Sequence, residues 1–309
     1  MPLMVRPAVP GDAPVICELL NTVDVAETGA PETDLRTVAN DLGHPQADLA
    51  RNSWLAFHGG ELVAYGLLWN DSSAERVDTD LYVRPGHQGA GGRLLGLMEA
   101  RAVESAAGTG ADHAVVHLTL AAATTVDTAE LRERGWRTVR RHNVLTRPLS
   151  AAEDTAPPAP GGLTLRDCRD ESDRRRAHEL VEETFADHFG HHPRGYEEWL
   201  HDLGEGMDWS LVWIAALDGL GDVAVVLTRD DRSAMAWIRN LGVRAPARGR
   251  GLASHLLRHA FGVYAARGRE RIGLGVDTAN ATGALRLYTA HGMTLHFAAD
   301  TWEVTLPAT

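Results

Sequence analysis

The sequence predicts a mixed α/β fold (an α+β mixed sheet) built twice over: two tandem domains, each a mixed, mostly antiparallel sheet flanked by helices. Three observations carry this expectation. The chain has 309 residues, enough for two ordinary domains with cores of their own. Ser150 to Gly162 reads S-A-A-E-D-T-A-P-P-A-P-G-G, where proline and glycine cluster and no apolar period survives, as in an interdomain linker. On either side the same order of elements recurs: Val83 and Val243 lie 160 residues apart, and Gly135 and Gly292, like Leu149 and Leu306, lie 157 apart. The expected domains are therefore 1–149 and 163–309, joined by 150–162.

Taken in order, a helical segment near Val15 to Leu20 opens the first copy. Leu62 to Leu68 and Val77 to Val83 follow as strands, Leu94 to Val103 as a helix and Ala114 to Leu120 as a strand; a helix then ends at Gly135 before a last strand near Leu149. The second copy opens with a helix over Arg175 to Phe185. Asp222 to Thr228 and Ala236 to Val243 are its strands, Leu252 to Ala266 its long helix and Ile272 to Val276 the next strand; a helix ends at Gly292 and a strand closes near Leu306.

Composition excludes whole classes of function. The 30 basic residues are all arginines, so a phosphate-loop lysine, a Schiff-base lysine and a lysine general base are ruled out. The net charge of −12 repels phosphate backbones and attracts cationic small molecules and amines, so nucleic acid is not an expected partner. Cys17 and Cys168 make no disulfide framework, which fits a reducing compartment with both thiols inert. The longest apolar stretch, Leu211 to Leu227, is broken by Asp218 and Asp222, and Met1 to Pro10 lacks the hydrophobic run of a signal peptide. The expectation is a soluble, cytoplasmic protein with no membrane partner, either a monomer of two pseudo-symmetric copies or a homodimer.

The strongest local signal is Leu241-Gly242-Val243-Arg244-Ala245-Pro246-Ala247-Arg248-Gly249-Arg250-Gly251-Leu252-Ala253-Ser254. A strand ends, a turn rich in glycine and arginine follows, and an amphipathic helix starts at once. Glycines let the backbone turn its amides toward a ligand, the helix start adds partial positive charge, and arginines supply cationic forks. Together they make a pyrophosphate cradle. Neither the lysine phosphate loop nor the dinucleotide fingerprint G-x-G-x-x-G fits here.

Arg248-Gly249-Arg250-Gly251-Leu252-Ala253 resembles the Q/R-x-x-G-x-G/A acyl-coenzyme A motif of the GNAT acyltransferase superfamily. The following stretch, Val276-Asp277-Thr278-Ala279-Asn280 through Tyr288 to Gly292-Met293, is similar to that superfamily's later strand, asparagine, helix and tyrosine. The tandem order is similar to that of mycothiol synthases. The resemblance implies an acyl-coenzyme A, most simply acetyl-coenzyme A, as co-substrate, held by Leu241 to Val243, Arg248 to Ser254 and Asn280. It implies that Tyr288 protonates the departing thiolate while a small-molecule amine attacks the thioester directly. Read from the residues alone, Tyr288 is as well explained by core packing along the face it shares with Ala281, Ala284 and Leu285, and Asn280 by helix capping.

The first copy departs from this pattern. Its turn, Val83-Arg84-Pro85-Gly86-His87-Gln88-Gly89-Ala90-Gly91-Gly92-Arg93, keeps glycines but aligns either through Gln88 with the helix two residues out of step, or through the helix with Gly86 in that place. Thr124 to Gly135 has no tyrosine or asparagine matching Tyr288 and Asn280. This copy is expected to be catalytically degenerate, serving as scaffold or as silent cofactor binder.

The general base is open. Met235-Ala236-Trp237-Ile238-Arg239-Asn240-Leu241 carries no carboxylate, which leaves a water chain, a histidine of Asp187-His188-Phe189-Gly190-His191-His192, or no base. His188, His191, Tyr196 and Trp199, with Trp237 and Arg239, are the expected acceptor contacts, against the alternative of a solvated loop with aromatic anchors. Glu179, Glu182, Glu183 and Asp187 read as a solvated helix face. The histidines lack metal-ligand spacing and no metal is expected. The competing functional class is a non-catalytic acyl-coenzyme A-binding or regulatory protein on the same fold.

Overall fold

The computed structural model describes residues 2–44, 47–69, 76–189, 191, 193–204, 207–230, 235–279 and 283–308. It divides into two compact units, each described by itself. The first comprises Met1–Asn143, Asp277–Ala279 and Phe297–Thr309; the second comprises Val144–Val276 and Asn280–His296.

In the first unit, β1 (Met4–Arg6) leads to α1 (Ala13–Thr28), α2 (Leu35–Leu42) and the short α3 (Leu49–Asn52). Then come β2 (Ser53–His58), β3 (Glu61–Trp69), β4 (Arg76–Val83), α4 (Gln88–Thr109), β5 (His113–Ala121), α5 (Thr128–Glu133) and β6 (Arg137–Pro148). Strands β1 to β4 pair antiparallel in sequence order, and β5 joins β4 in parallel. Apolar residues of β3 are buried on both faces, since α4 and α5 cover one and α1 and α2 the other.

The second unit repeats the plan. It runs through β7 (Leu163–Asp167), α6 (Glu171–Phe185), α7 (Tyr196–Leu203), β8 (Val212–Leu217), β9 (Gly221–Arg229), β10 (Ala236–Val243), α8 (Leu252–Ala266), β11 (Arg271–Asp277), α9 (Ala284–Ala290) and β12 (Thr294–Pro307). Strands β7 to β10 pair antiparallel and β11 joins β10 in parallel. One face packs Leu252, Leu256, Phe261 and Tyr288, and the other Leu180, Val181, Trp199 and Leu203. Small repeated details match: the amide of Arg84 donates to Val63 and that of Arg244 to Val223, 160 residues on in both partners. Each unit has the mixed, mostly antiparallel sheet flanked by helices that the sequence predicts.

The units are not continuous stretches of chain, and here the structure differs from the expected 1–149 and 163–309. Residues 299–307 of β12 pair antiparallel with β5 in the first unit. Residues 144–148 of β6 belong to the second, where β6 neighbours β11, Leu149 donates its amide to Glu270 and the Arg271 guanidinium donates to Thr146. Both copies end in similar strands, so local pattern cannot decide which sheet each strand joins.

The stretch 150–162 is docked on the second unit. The Ser150 amide and the Arg147 guanidinium both bond Asp154, and a Cβ on Gly262 of α8 would lie 2.2 Å from the Ala156 nitrogen. Burial pushes the Cys168 thiol up to about 12, and that of half-buried Cys17 upward too, so neither is activated. Among the described residues, no helix is long and apolar enough to cross a membrane.

Candidate active site

The site is built around the end of β10. Its pairing with β9 shifts between Ile238 and Asn240, leaving Arg239 as an extra residue in a β-bulge. Parallel pairing with β11 runs only from Ala236 to Ile238, so beyond the bulge the strand has no pairing partner on that side among the described residues. Backbone groups of an unpaired strand segment are free to meet a ligand. Leu241 and Val243 lean on the α8-side core, while Gly242 faces α6: a Cβ there would lie 2.1 Å from Thr184 Oγ1. Glycine is what lets the two elements touch.

Arg244 then leaves the strand, with its guanidinium on Glu183 at 2.8 Å. Arg248 folds back to donate from Nε to the Val243 carbonyl at 3.0 Å. Gly249 and Gly251 both hold positive φ, 74° and 77°, and Gly251 delivers the chain into α8. No side chain caps α8, and the first intrahelical bond is the one from His255 to Gly251. The amides of Leu252, Ala253 and Ser254 therefore remain for an anion. Neither Arg248 nor Arg250 forms an ion pair with a carboxylate among the described residues. In a protein of net charge −12, that leaves a local excess of positive charge at the helix start.

Tyr288 lies on α9, 8% exposed within the core cluster that includes Leu252 and Leu256. Its hydroxyl has no hydrogen-bond partner among the described residues, and burial alone pushes it up to about 12. It is thus a neutral proton donor across the physiological range. Three residues on, His291 Nδ1 meets the Leu287 carbonyl at 2.8 Å and Nε2 meets Ser254 Oγ at 2.7 Å. A carbonyl only accepts, so in the neutral ring Nδ1 carries the hydrogen and the serine hydroxyl donates to Nε2. That pair pins the end of α9, and with it Tyr288, to the first turn of α8. Asn280 lies outside the described residues.

The expected acceptor contacts separate into two groups. His191 Nε2 lies 3.2 Å from Glu182 Oε2, which also accepts the Arg194 amide; the other Glu182 oxygen is buried without a partner among the described residues. Glu182 is not part of a solvated face, then, although Glu179 is. His188 packs its ring on Phe185, 4.4 Å between centroids. Trp237 stands over Gly273 of β11, and Arg239 donates to the Asp202 carbonyl. These sit near the end of α6 and on β10. Trp199, by contrast, is 1% exposed and packs against Tyr196 and Trp209 in the core. Tyr196 donates its hydroxyl to Glu171, which opens α6, ~20 Å along the helix from Thr184. Sequence reading missed Glu182, Thr184 and the bulge. None of them left a trace in the offset between the copies, which is 160 at both Val63/Val223 and Val83/Val243 and changes only beyond the bulge.

Among the described residues, no group of three His, Cys, Asp or Glu side chains is placed to hold a metal ion. Residues 174–293, which span the arginine-glycine turn and Tyr288, match the acetyltransferase (GNAT) family. The chain contains a GNAT acetyltransferase domain. The whole chain also matches solved structures. A GCN5-related N-acetyltransferase from Sphaerobacter thermophilus is 29% identical over 99% of this chain and 96% of that one, with a TM-score of 0.82. A tandem GNAT protein from the clavulanic acid biosynthesis pathway, 14% identical, covers 100% of this chain and 99% of its own, with a TM-score of 0.72. A GCN5-related glucosamine N-acetyltransferase region of a fungal multi-domain β-N-acetylglucosaminidase gives 16% identity and a TM-score of 0.68, over 98% of this chain and 38% of that one. No curated protein matches. The last two likenesses concern fold, and they extend the GNAT architecture over both units.

Proposed function

We propose that the protein is an acyl-coenzyme A dependent N-acyltransferase, most simply an N-acetyltransferase, with a small-molecule amine as acceptor and the chemistry in the GNAT domain of the second unit. The observation that carries this reading is the arginine-glycine turn: an uncapped helix start, two glycines at positive φ and two arginines without carboxylate partners among the described residues. That constellation suits the pyrophosphate of coenzyme A. The open end of β10 suits the thioester arm.

In this mechanism the amine nitrogen forms a bond to the thioester carbonyl carbon, backbone amides beyond the bulge steady the developing oxyanion, and the carbon–sulfur bond breaks as Tyr288 gives its proton to sulfur. The amine proton needs a receiver. Of the sources the sequence leaves open, His191 is favoured: Glu182 holds its Nε2, leaving Nδ1 as the base, and Glu182 stands two residues from the Thr184 that abuts Gly242.

Calorimetric titration with acetyl-coenzyme A tests the reading on the wild type and on Arg248→Ala/Arg250→Ala, followed by thiol release with a panel of primary amines. One site lost in the double variant, with turnover on some amines, supports it. Binding without turnover on any amine favours the non-catalytic alternative, and no binding by the wild type overturns both.

A further inference from the structure

We infer that the second unit binds acyl-coenzyme A together with a proton, which His291 takes up as Ser254 turns its hydroxyl to the cofactor's pyrophosphate. This rests on the proposed cofactor and adds regulation by pH at the same site. Its basis is a chain of two hydrogen bonds. Ser254 is in the first turn of α8, with its Oγ 2.7 Å from His291 Nε2, and His291 Nδ1 lies 2.8 Å from the Leu287 carbonyl. A carbonyl only accepts, so Nδ1 keeps its hydrogen in both charge states of the ring. Any change of charge therefore falls on Nε2.

A serine hydroxyl has a single hydrogen to give. In the free protein it goes to neutral Nε2. The Ser254 amide is among those at the helix start that the first intrahelical bond, from His255 to Gly251, leaves unused. A phosphate oxygen held by these amides competes for the serine hydrogen, and as a charged acceptor it makes the stronger bond. Once the hydroxyl has turned, a neutral ring would set the Nε2 lone pair against a serine lone pair. A proton taken from solvent onto Nε2 restores the contact, with Nε2–H donating to Oγ and Oγ–H to phosphate. No covalent bond of the cofactor changes.

The charges built into this region point the same way. Residues 244–269 and 278–299, which hold the turn, α8, α9 and the start of β12, contain no aspartate or glutamate, although the chain has 42. Their titratable and cationic groups are Arg248, Arg250, His255 and Arg258 on the side of Ser254, and Arg286 and His296 on the side of His291. With no carboxylate in either segment to pair with an imidazolium, the ligand's phosphate is the anion that retains one. The first unit makes the corresponding link without a titrating group. Arg134 stands three residues beyond Leu131, as His291 stands beyond Tyr288; its guanidinium donates to the Gly92 carbonyl and pairs with Glu99 and Glu130. A guanidinium keeps its charge throughout.

The test is calorimetric titration of the full chain with acetyl-coenzyme A between about pH 5 and 8, in buffers of different ionisation enthalpy, which counts the protons bound with the ligand. The cofactor's 3′-phosphate also titrates, but equally for wild type and variant, so the difference between them isolates His291. The wild type should take up more protons than His291→Gln, and its affinity should rise about fivefold more than the variant's from the alkaline to the acid end. Equal proton uptake in the two overturns the inference and leaves the cofactor reading standing; no binding by the wild type at any pH overturns both. If His291→Gln does not fold, Ser254→Ala decides: lost uptake supports the chain, and unchanged uptake removes it.

Discussion

The two units share a strand order and differ where chemistry would occur. Strands β3 and β4 pair without interruption from Ala64 with Val83 to Trp69 with Asp78, whereas β9 and β10 break register at Arg239. Helix α4 begins at Gln88, so Gly89 and Gly91 are already helical; α8 begins only at Leu252, after two glycines at positive φ. The Trp136 amide donates to the Leu131 carbonyl as the Met293 amide donates to Tyr288, which fixes Leu131, fully buried, as the counterpart of the tyrosine. In the first unit Glu27 of α1 ties down Thr124 and Thr125, just before α5. One extra residue in a strand, one later helix start and one hydroxyl distinguish the proposed catalytic copy from its relative. Strand order alone therefore says little about which copy reacts.

Tyr288→Phe breaks the comparison most directly, because it gives the second unit an apolar side chain like that of the first. Turnover should fall by about 10²-fold or more with acetyl-coenzyme A affinity retained, measured by thiol release and calorimetry. Since burial holds the hydroxyl at about 12, the wild-type rate should show no loss from tyrosine ionisation up to pH 10, and a descending limb below that would assign the proton to another group.

The Arg248→Ala/Arg250→Ala variant should weaken acetyl-coenzyme A by about 2–3 kcal/mol, the scale of a charged hydrogen bond or two. Titration stoichiometry sharpens the comparison: a second site that survives the double change would make the first unit a cofactor binder despite its helical glycines.

Glycine contacts give a smaller, structural contrast. Gly262→Ala drives a methyl into the backbone at Ala156 and Gly242→Ala drives one into Thr184, so each should cost about 1–3 kcal/mol in denaturant unfolding. Gly92→Ala in the first unit meets only the mobile end of Glu130, and should cost less than either.

Asp80→Asn should give the smallest effect, and its sign is informative. Burial, with Asp78 nearby, raises the Asp80 carboxyl above its ordinary value, so the folded state holds the proton more tightly than the unfolded chain. Stability contributed by the protonated form is present in acid and lost as pH rises through the folded value. The neutral amide should therefore raise the melting temperature slightly near pH 7.5 and leave it unchanged below about pH 4, the ordinary aspartate range. A lower melting temperature at both values would mean that Asp80 has a cationic partner outside the described residues.

Much of the architecture was legible because it is written in local pattern. Ala236–Val243 and Leu252–Ala266 coincide with β10 and α8, where strand and helix periods are strong and glycines punctuate both ends. The first two strands of each unit, β1 and β2 and then β7 and β8, escaped notice, although Gly59-Gly60, both at positive φ, form the hairpin turn that would have marked β2. Within the site, the arginine-glycine turn is a contiguous signal and was found. Glu182 was taken for solvated surface because nothing in α6 announces that the returning segment at His191 and Arg194 folds onto it.

By itself, then, the sequence determined the doubled α/β plan, the lysine-free acidic character and the arginine-glycine turn at a helix start, all of which depend on residues close together in the chain. Tertiary structure decided which sheet each final strand completes, that Trp199 is core and Tyr196 bound to Glu171, that His291 links α9 to α8, and that Asp80 accepts from the Trp69 indole. The physical reason is the same in each case. These pairings join residues far apart in sequence, and their energies come from burial and partner choice, which a local pattern does not carry.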